Sequence, residues 1–564
     1  MDGVREPTPS ASEQSLTSLE PPDSAISADY ASRAARELDL DSNHLTTSLG
    51  TLRGASMVQT LLNYVAATAG HCLLDVTQTV STCSATGIIV LCSAVPLLVD
   101  RSAGMLLEIT EVTRCTSYSD VAYTIGGWPA RAIVDWSTVL FALCQMGSCA
   151  RLLYVLLPSV LAILASVEAT RSGPMMQLGT VLMLAATTLL LWPMMRARSL
   201  RALRAASAGC VGALCLFILS IGMHAVSLGK RKLALALALP TDAETNIEFM
   251  RLALLWCTAL QGHSVLPTLF SELRRASARD ARELEYKLRH SRFVSKRTKM
   301  RWLVRVVMFG CGGAFALLAL SARLAFPAGT ALNVLKDISG HGGTASDSST
   351  ASLQIAAIVS LILGMPQHGV VGARCLHSAA GMLHACTARA CEASGCGWLC
   401  CREPHAARRL AAGPRANQQR FEAGIASTPR AAHSAAVGTL LLGSAALGLS
   451  LPLSILACVY DLVSGVSSAL LLFVMPAALL VTLRGWQRKN LPPRSGGAVM
   501  HGTRYRRASS LLRSAEVWAV LLCGIALALL SVLVPLFELG LLSPCLERLV
   551  FSLNRGPPPR TVTR

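Results

Sequence analysis

Apolar residues along this chain run in blocks long enough to cross a bilayer, separated by shorter polar stretches rich in arginine. A membrane helix needs about 20 predominantly apolar residues. On that rule the pattern predicts spans near 56–74, 85–107, 130–164, 175–194, 205–228, 247–270, 302–326, 351–373, 434–456, 461–483 and 514–543. The expectation is an all-α integral membrane protein with about 11 transmembrane helices.

Charge orients the bundle. With the N-terminus inside, the loops on the cytosolic side carry 31 Lys and Arg, against 5 on the other side. The inner loops are longer, but the excess outlasts that difference and follows the positive-inside rule. The C-terminal tail, 544–564, then falls outside. The net charge of +19 is explained by those loops, and nucleic-acid binding is not expected. Mean hydropathy of +0.49 with 15% charged residues places most of the chain in lipid. Residues 1–50 are polar, Ser-rich and acidic without an apolar h-region, which predicts a disordered cytosolic tail and no signal peptide. The organisation that follows is a core over 51–485, a basic cytosolic loop over 486–513 and a last helix over 514–543.

Nineteen cysteines predict no disulfide framework, and Cys210, Cys215 and Cys257 read as small apolar helix residues. The cytosolic loop 379–433 holds Cys386, Cys391, Cys396, Cys400 and Cys401 near His384 and His405. Zinc is the sharper reading. The gaps lack paired knuckles, so a membrane-proximal loop with reduced or palmitoylated thiols is favoured and no metal is expected. The run 271–301 mixes Glu283 and Glu285 with many Arg and Lys, as an amphipathic helix touching anionic lipid would.

Two spans are interrupted. The first contains Asn63 and then Thr68, Ala69, Gly70, His71 and Cys72; the sixth contains Gln261, Gly262, His263, Ser264 and Pro267. They lie five spans apart, as an inverted repeat requires, and unwound backbone at such breaks can hold a carboxylate or a cation. Gly and Pro are also common in membrane helices for no functional reason, and spacing does not separate the two readings. Arg151 inside the third span either faces the interior or snorkels outward. Asp100 and Arg101 read as a local ion pair, His224 as structural, and Met146 and Cys144 as packing. No P-loop, DHHC, HExxH or pair of intramembrane aspartates suggests an enzyme.

Four segments together resemble the amino acid/auxin permease family, which includes the sodium-coupled neutral amino acid transporters. They are Thr60–Leu74 (with Asn63, Gly70 and Leu74 matching), Thr116–Pro158, Gln261–Leu273 (QGHSVLPTLFSEL) and Leu451–Leu483 (with Gly465, Phe473 and Pro476). The resemblance implies a LeuT-type 5+5 inverted repeat plus one helix, alternating access, and an amino acid bound between the first, third, sixth and eighth spans. It places substrate contacts at Gly70, His71, Cys72, Gln261, Gly262, His263 and Ser264. A family sodium ligand falls on Ala66 and another on Gly364, and the second glycine of the first-helix motif falls on Cys72. Two lost side-chain oxygens weaken a site that needs about five or six, which favours proton-coupled or uncoupled transport with His263 as the titrating group. The expected partner is an amino acid, in the plasma membrane or an endolysosomal or vacuolar membrane, with no cofactor. The competing reading is a non-transporting amino acid sensor of the same fold, signalling through the tail or the cysteine loop.

Overall fold

The computed structural model describes residues 55–69, 85–164, 245–273, 296–325, 348–393 and 503–538, most of 187–227 and 430–490, and a few positions between 177 and 185. The helices are α1 (Met57–Ala69), α2 (Ala85–Thr113), α3 (Tyr118–Leu164), α4 (Trp192–Met195), α5 (Arg204–Ser227), α6 (Thr245–Ala259) and α7 (Leu266–Glu272). They continue as α8 (Lys296–Ala325), α9 (Ser348–Ala393), α10 (Arg430–Ser450), α11 (Leu453–Ala469), α12 (Met475–Asn490) and α13 (Thr503–Glu538). A π turn, Leu470–Val474, joins α11 to α12, so the tenth span is one rod.

Eight described helical stretches are long and apolar enough to cross a membrane. Three of the eleven expected spans are not among them. Of the first span only 56–69 falls within the described residues, with α1 as its 13 helical residues, the fourth is described only in pieces, and the sixth is split into α6 and α7. Several helices overrun the apolar block that predicted them. The eighth span continues in α9 to Ala393, so the loop expected to begin at 379 begins as helix, and Cys386 and Cys391 sit on it. The eleventh begins at Thr503 rather than 514. Backbone hydrogen bonding does not stop where the hydrocarbon does, so hydropathy marks the membrane and not the helix end. At the start of the third span Gly127, with φ of 68°, turns the chain between a short piece and the long span, a conformation that favours glycine.

The helices α3, α9 and α10 pack on one another, α2 and α8 on each other, and α1 and α5 touch both α8 and α9. Small residues set the approach of α3 to α10: a Cβ on Gly448 would lie 2.4 Å from the carbonyl oxygen of Gly147. Where lipid removes the hydrophobic drive between helices, such close contact supplies the dispersion energy of association.

Candidate substrate site

The break between α6 and α7 runs over 260–265 and every residue in it is buried. The helical ladder ends with the amide of Leu260 on the Trp256 carbonyl at 3.0 Å. The amide of Gln261 turns to Thr258 at 3.2 Å, and that of Leu266 to His263 at 3.2 Å. The freed amide of His263 donates to Oε1 of Gln261 at 3.1 Å. Pro267 lies in the first turn of α7, where its missing N–H would have had no helical acceptor.

Tyr64 of α1 closes over this break. A Cβ built on Gly262 would stand 2.5 Å from Tyr64 Cε2 and 3.0 Å from Thr68 Oγ1, so glycine here permits α1 to approach. Besides the substrate contact expected of it, Gly262 has a helix contact, because Tyr64 occupies the space where its side chain would stand. Several polar atoms gather around the break with their hydrogen bonds unmade. Gln261 Nε2, both ring nitrogens of His263, Tyr64 Oη and, one turn earlier on α6, Trp256 Nε1 are buried without a hydrogen-bond partner among the described residues. Buried polar groups are normally bonded, and such a group costs about 1–3 kcal/mol when left unmade.

On either side of the break the helices are tied. Gln59 Nε2 and Asn63 Nδ2 of α1 donate to the carbonyls of Arg201 and Leu200 at 3.1 and 3.0 Å. The Glu272 carboxylate, at the end of α7, accepts from the amides of the same two residues at 3.2 and 3.1 Å, and its carbonyl accepts from the Ala55 amide. Toward the other end of α6, Arg251 pairs with Asp461 of α11 at 2.9 Å. Gln145 of α3 donates to Tyr460 Oη at 2.6 Å. A cavity beside Arg251 is lined by Thr258, Tyr460, Asp461 and Ser464.

Of the predicted site residues, Gln261, Gly262, His263 and Ser264 come together at the break. Gly70, His71 and Cys72 lie outside the described residues, as do the tail, 274–295 and the cysteines at 396, 400 and 401. Ala66 and Gly364 are both buried on helices that pack together, α1 and α9. Beside them the ring of His368 on α9 packs edge-on against Phe141 of α3, with centroids 5.4 Å apart. Among the described residues no group of three His, Cys, Asp or Glu could hold a metal.

Other expectations change. Asp100 and Arg101 do not pair with each other: Asp100 meets Arg305 of α8 at 3.3 Å and Arg101 meets Glu516 of α13 at 3.2 Å. Successive helical residues point in different directions, so each finds a different neighbour. Arg151 is half-buried, its guanidinium 5.3 Å from the Tyr154 ring centroid. Met146, Cys144, Cys210 and Cys257 are buried, whereas Cys215 faces outward.

The largest omission is a buried ionic node on α3. Asp135 is fully buried, accepts from Ser119 and from Ser378 of α9, and pairs with Arg131 at 3.5 Å. Arg131 donates to Ser378 at 2.9 Å and lies over Tyr123 and Trp128, 5.6 and 5.9 Å from the ring centroids. An aspartate four residues after an arginine inside a span is the signal that marks it. The pairs Arg251–Asp461 and Gln145–Tyr460 join distant segments and carry no local signal.

No family model and no curated protein matches the chain. Solved structures similar to it include MhsT in complex with L-phenylalanine, with 13% identity and a TM-score of 0.49 over 86% of this chain and 99% of that one, and Mhp1, a nucleobase-cation-symport-1 family transporter in a closed conformation with bromovinylhydantoin bound, with 11% identity and a TM-score of 0.45 over 86% and 92%. A likeness at this distance concerns the path of the chain and not its substrate. The chain is an all-α integral membrane protein of many spans.

Proposed function

We propose that this chain is a secondary transporter of amino acids or similar small zwitterions, with its substrate held at the α6–α7 break against α1. The observation that carries this reading is the set of buried, unbonded polar atoms at Gln261, His263 and Tyr64. A protein that needed them only for its fold would bond them or replace them with apolar groups. A zwitterion supplies what they lack, since its carboxylate accepts from Gln261 Nε2 and Tyr64 Oη and its ammonium donates to a ring nitrogen of His263. Ser264 and the expected contacts Gly70, His71 and Cys72 complete the site in this reading.

Alternating access requires the ties on the two sides of the break to open one at a time. The Gln59, Asn63 and Glu272 bonds serve on the basic, cytosolic side, and Arg251–Asp461 on the other. The resemblance of the four sequence segments to the amino acid/auxin permeases supports the substrate class and the 5+5 repeat. The loss of side-chain oxygens at Ala66 and Gly364 supports coupling to protons, or none, over sodium.

Uptake into proteoliposomes of a panel of labelled amino acids tests this, with binding measured on the same preparation. Flux that falls at least about tenfold in His263→Leu and Gln261→Leu is expected, from the loss of more than about 1.4 kcal/mol of binding energy. Saturable binding without flux would instead assign the sensor reading, and neither binding nor flux would end both.

A further inference from the structure

The helices α2 and α8 meet along an antiparallel seam that the substrate site does not use. At its apolar end the Cys92 thiol of α2 donates to the Gly312 carbonyl of α8 at 3.2 Å, and a Cβ on Gly312 would lie 2.7 Å from Pro96. One turn further along α2, Asp100 meets Nε of Arg305 at 3.3 Å. At the basic end Glu108 and Glu111 each accept from Arg297 at 3.1 Å, and Glu108 also accepts from Arg484 of α12 at 3.4 Å. Residues four apart share a helix face, so the rung between these ion pairs joins position 104 to position 301. There α2 carries Gly104 and no carboxylate. Nη2 of Arg301 lies 3.4 Å from where a Cβ of Gly104 would stand.

The middle rung is therefore a cation without its anion. Nε of Arg301 is buried with no hydrogen-bond partner, and the side chain makes no ion pair among the described residues. Along the seam three carboxylates, Asp100, Glu108 and Glu111, face four guanidinia, those of Arg297, Arg301, Arg305 and Arg484. Arg301 is the one left over. A partly buried charge with no counter-ion is destabilising. The group that relieves it must be an anion with several acceptor oxygens, because a guanidinium presents five N–H donors in a planar fork.

We propose that the α2–α8 seam binds the phosphate of an anionic membrane lipid at Arg301, with Arg305 as the second donor. Arg305 lies one turn from Arg301, gives Nε to Asp100 and is 52% exposed, which leaves its two terminal nitrogens for a phosphate. A lipid rather than free phosphate is the source, because the surface bordering the arginines is apolar. Trp302 and Phe309 of α8 and Leu97 of α2 are all exposed. Phe309 and Leu97 lie farther from the basic end of the seam than Arg301 does, so they border the acyl chains of a lipid whose headgroup is held at the arginine. Trp302 stands at headgroup level, where membrane proteins concentrate tryptophan. The basic end of α8 is the end that the arginine distribution predicts to be cytosolic, and the cytosolic leaflet carries the anionic lipids.

The test needs neither substrate nor flux, so it stands apart from the transport reading. Phosphatidylglycerol and phosphatidylcholine are titrated separately into the full-length protein in detergent, and bound lipid is counted by native mass spectrometry. The wild type should bind one phosphatidylglycerol about tenfold or more tightly than phosphatidylcholine. Arg301→Gln should lose that preference. Gly104→Asp should lose it too, with Arg301 still in place, because the new carboxylate takes the position of the phosphate. Should Arg301→Gln fail to fold, Gly104→Asp decides alone. Arg101→Gln removes an exposed cation that is paired with Glu516 outside the seam and should keep the preference. Excess inorganic phosphate should not displace the bound lipid. Equal affinity for the two lipids in the wild type overturns the proposal, as does a preference that survives in Gly104→Asp or in folded Arg301→Gln. Equal loss in Arg101→Gln, or displacement by inorganic phosphate, overturns it as well.

Discussion

The Arg131–Asp135 node and the α6–α7 break are both buried and polar, and they differ in whether their hydrogen bonds are made. At the node each carboxylate oxygen of Asp135 has a serine donor, and Arg131 supplies the opposing charge. At the break Gln261 satisfies one backbone amide and otherwise leaves its own amine, both nitrogens of His263 and the Tyr64 hydroxyl unbonded among the described residues. A carboxylate satisfied on both oxygens joins α3 to α9. An incomplete network destabilises the protein alone and gains on binding. The same chemistry therefore reads as scaffold in one place and as site in the other.

Asp135→Ala tests that division with the largest effect. Removing one partner of a buried pair leaves Arg131 uncompensated, at a cost of about 3–5 kcal/mol. The expected result is a large drop in the melting temperature of the detergent-solubilised protein. Wild-type melting would show that the node is not an anchor.

Gly262→Ala should cost about 1–3 kcal/mol through overpacking against Tyr64. The loss should largely vanish in a Tyr64→Ala background, because the two residues meet directly. A melting loss unchanged in that background would place the strain elsewhere.

The sharpest contrast is in sign. His263→Leu removes two buried ring nitrogens that lack partners among the described residues, so melting temperature should hold or rise by up to about 1 kcal/mol equivalent as substrate binding is lost, whereas Gln261→Leu also removes the acceptor of the His263 amide and should melt lower by about 1 kcal/mol equivalent. If His263→Leu melts well below the wild type, the break is structural and the comparison fails.

Arg101→Ala sets the lower bound. Its pair with Glu516 is exposed on both sides, and such pairs contribute about 0–1 kcal/mol, so melting should change little and less at high salt.

Much of this architecture was legible from apolar run length, because the bilayer imposes a length on every span. The split sixth span was legible too, through Gln261, Gly262 and Pro267, since a break needs residues that tolerate lost helical bonds. Sequence marked Gly262 and His263 together but could not separate their roles. Tyr64 comes from almost two hundred residues earlier, and only its placement over Gly262 makes one residue a helix contact and leaves the other an unbonded polar group. Asp100 and Arg101 show the same limit. Adjacent in the chain, they diverge around the helix to Arg305 and Glu516, because helical geometry separates neighbours and tertiary packing chooses their partners.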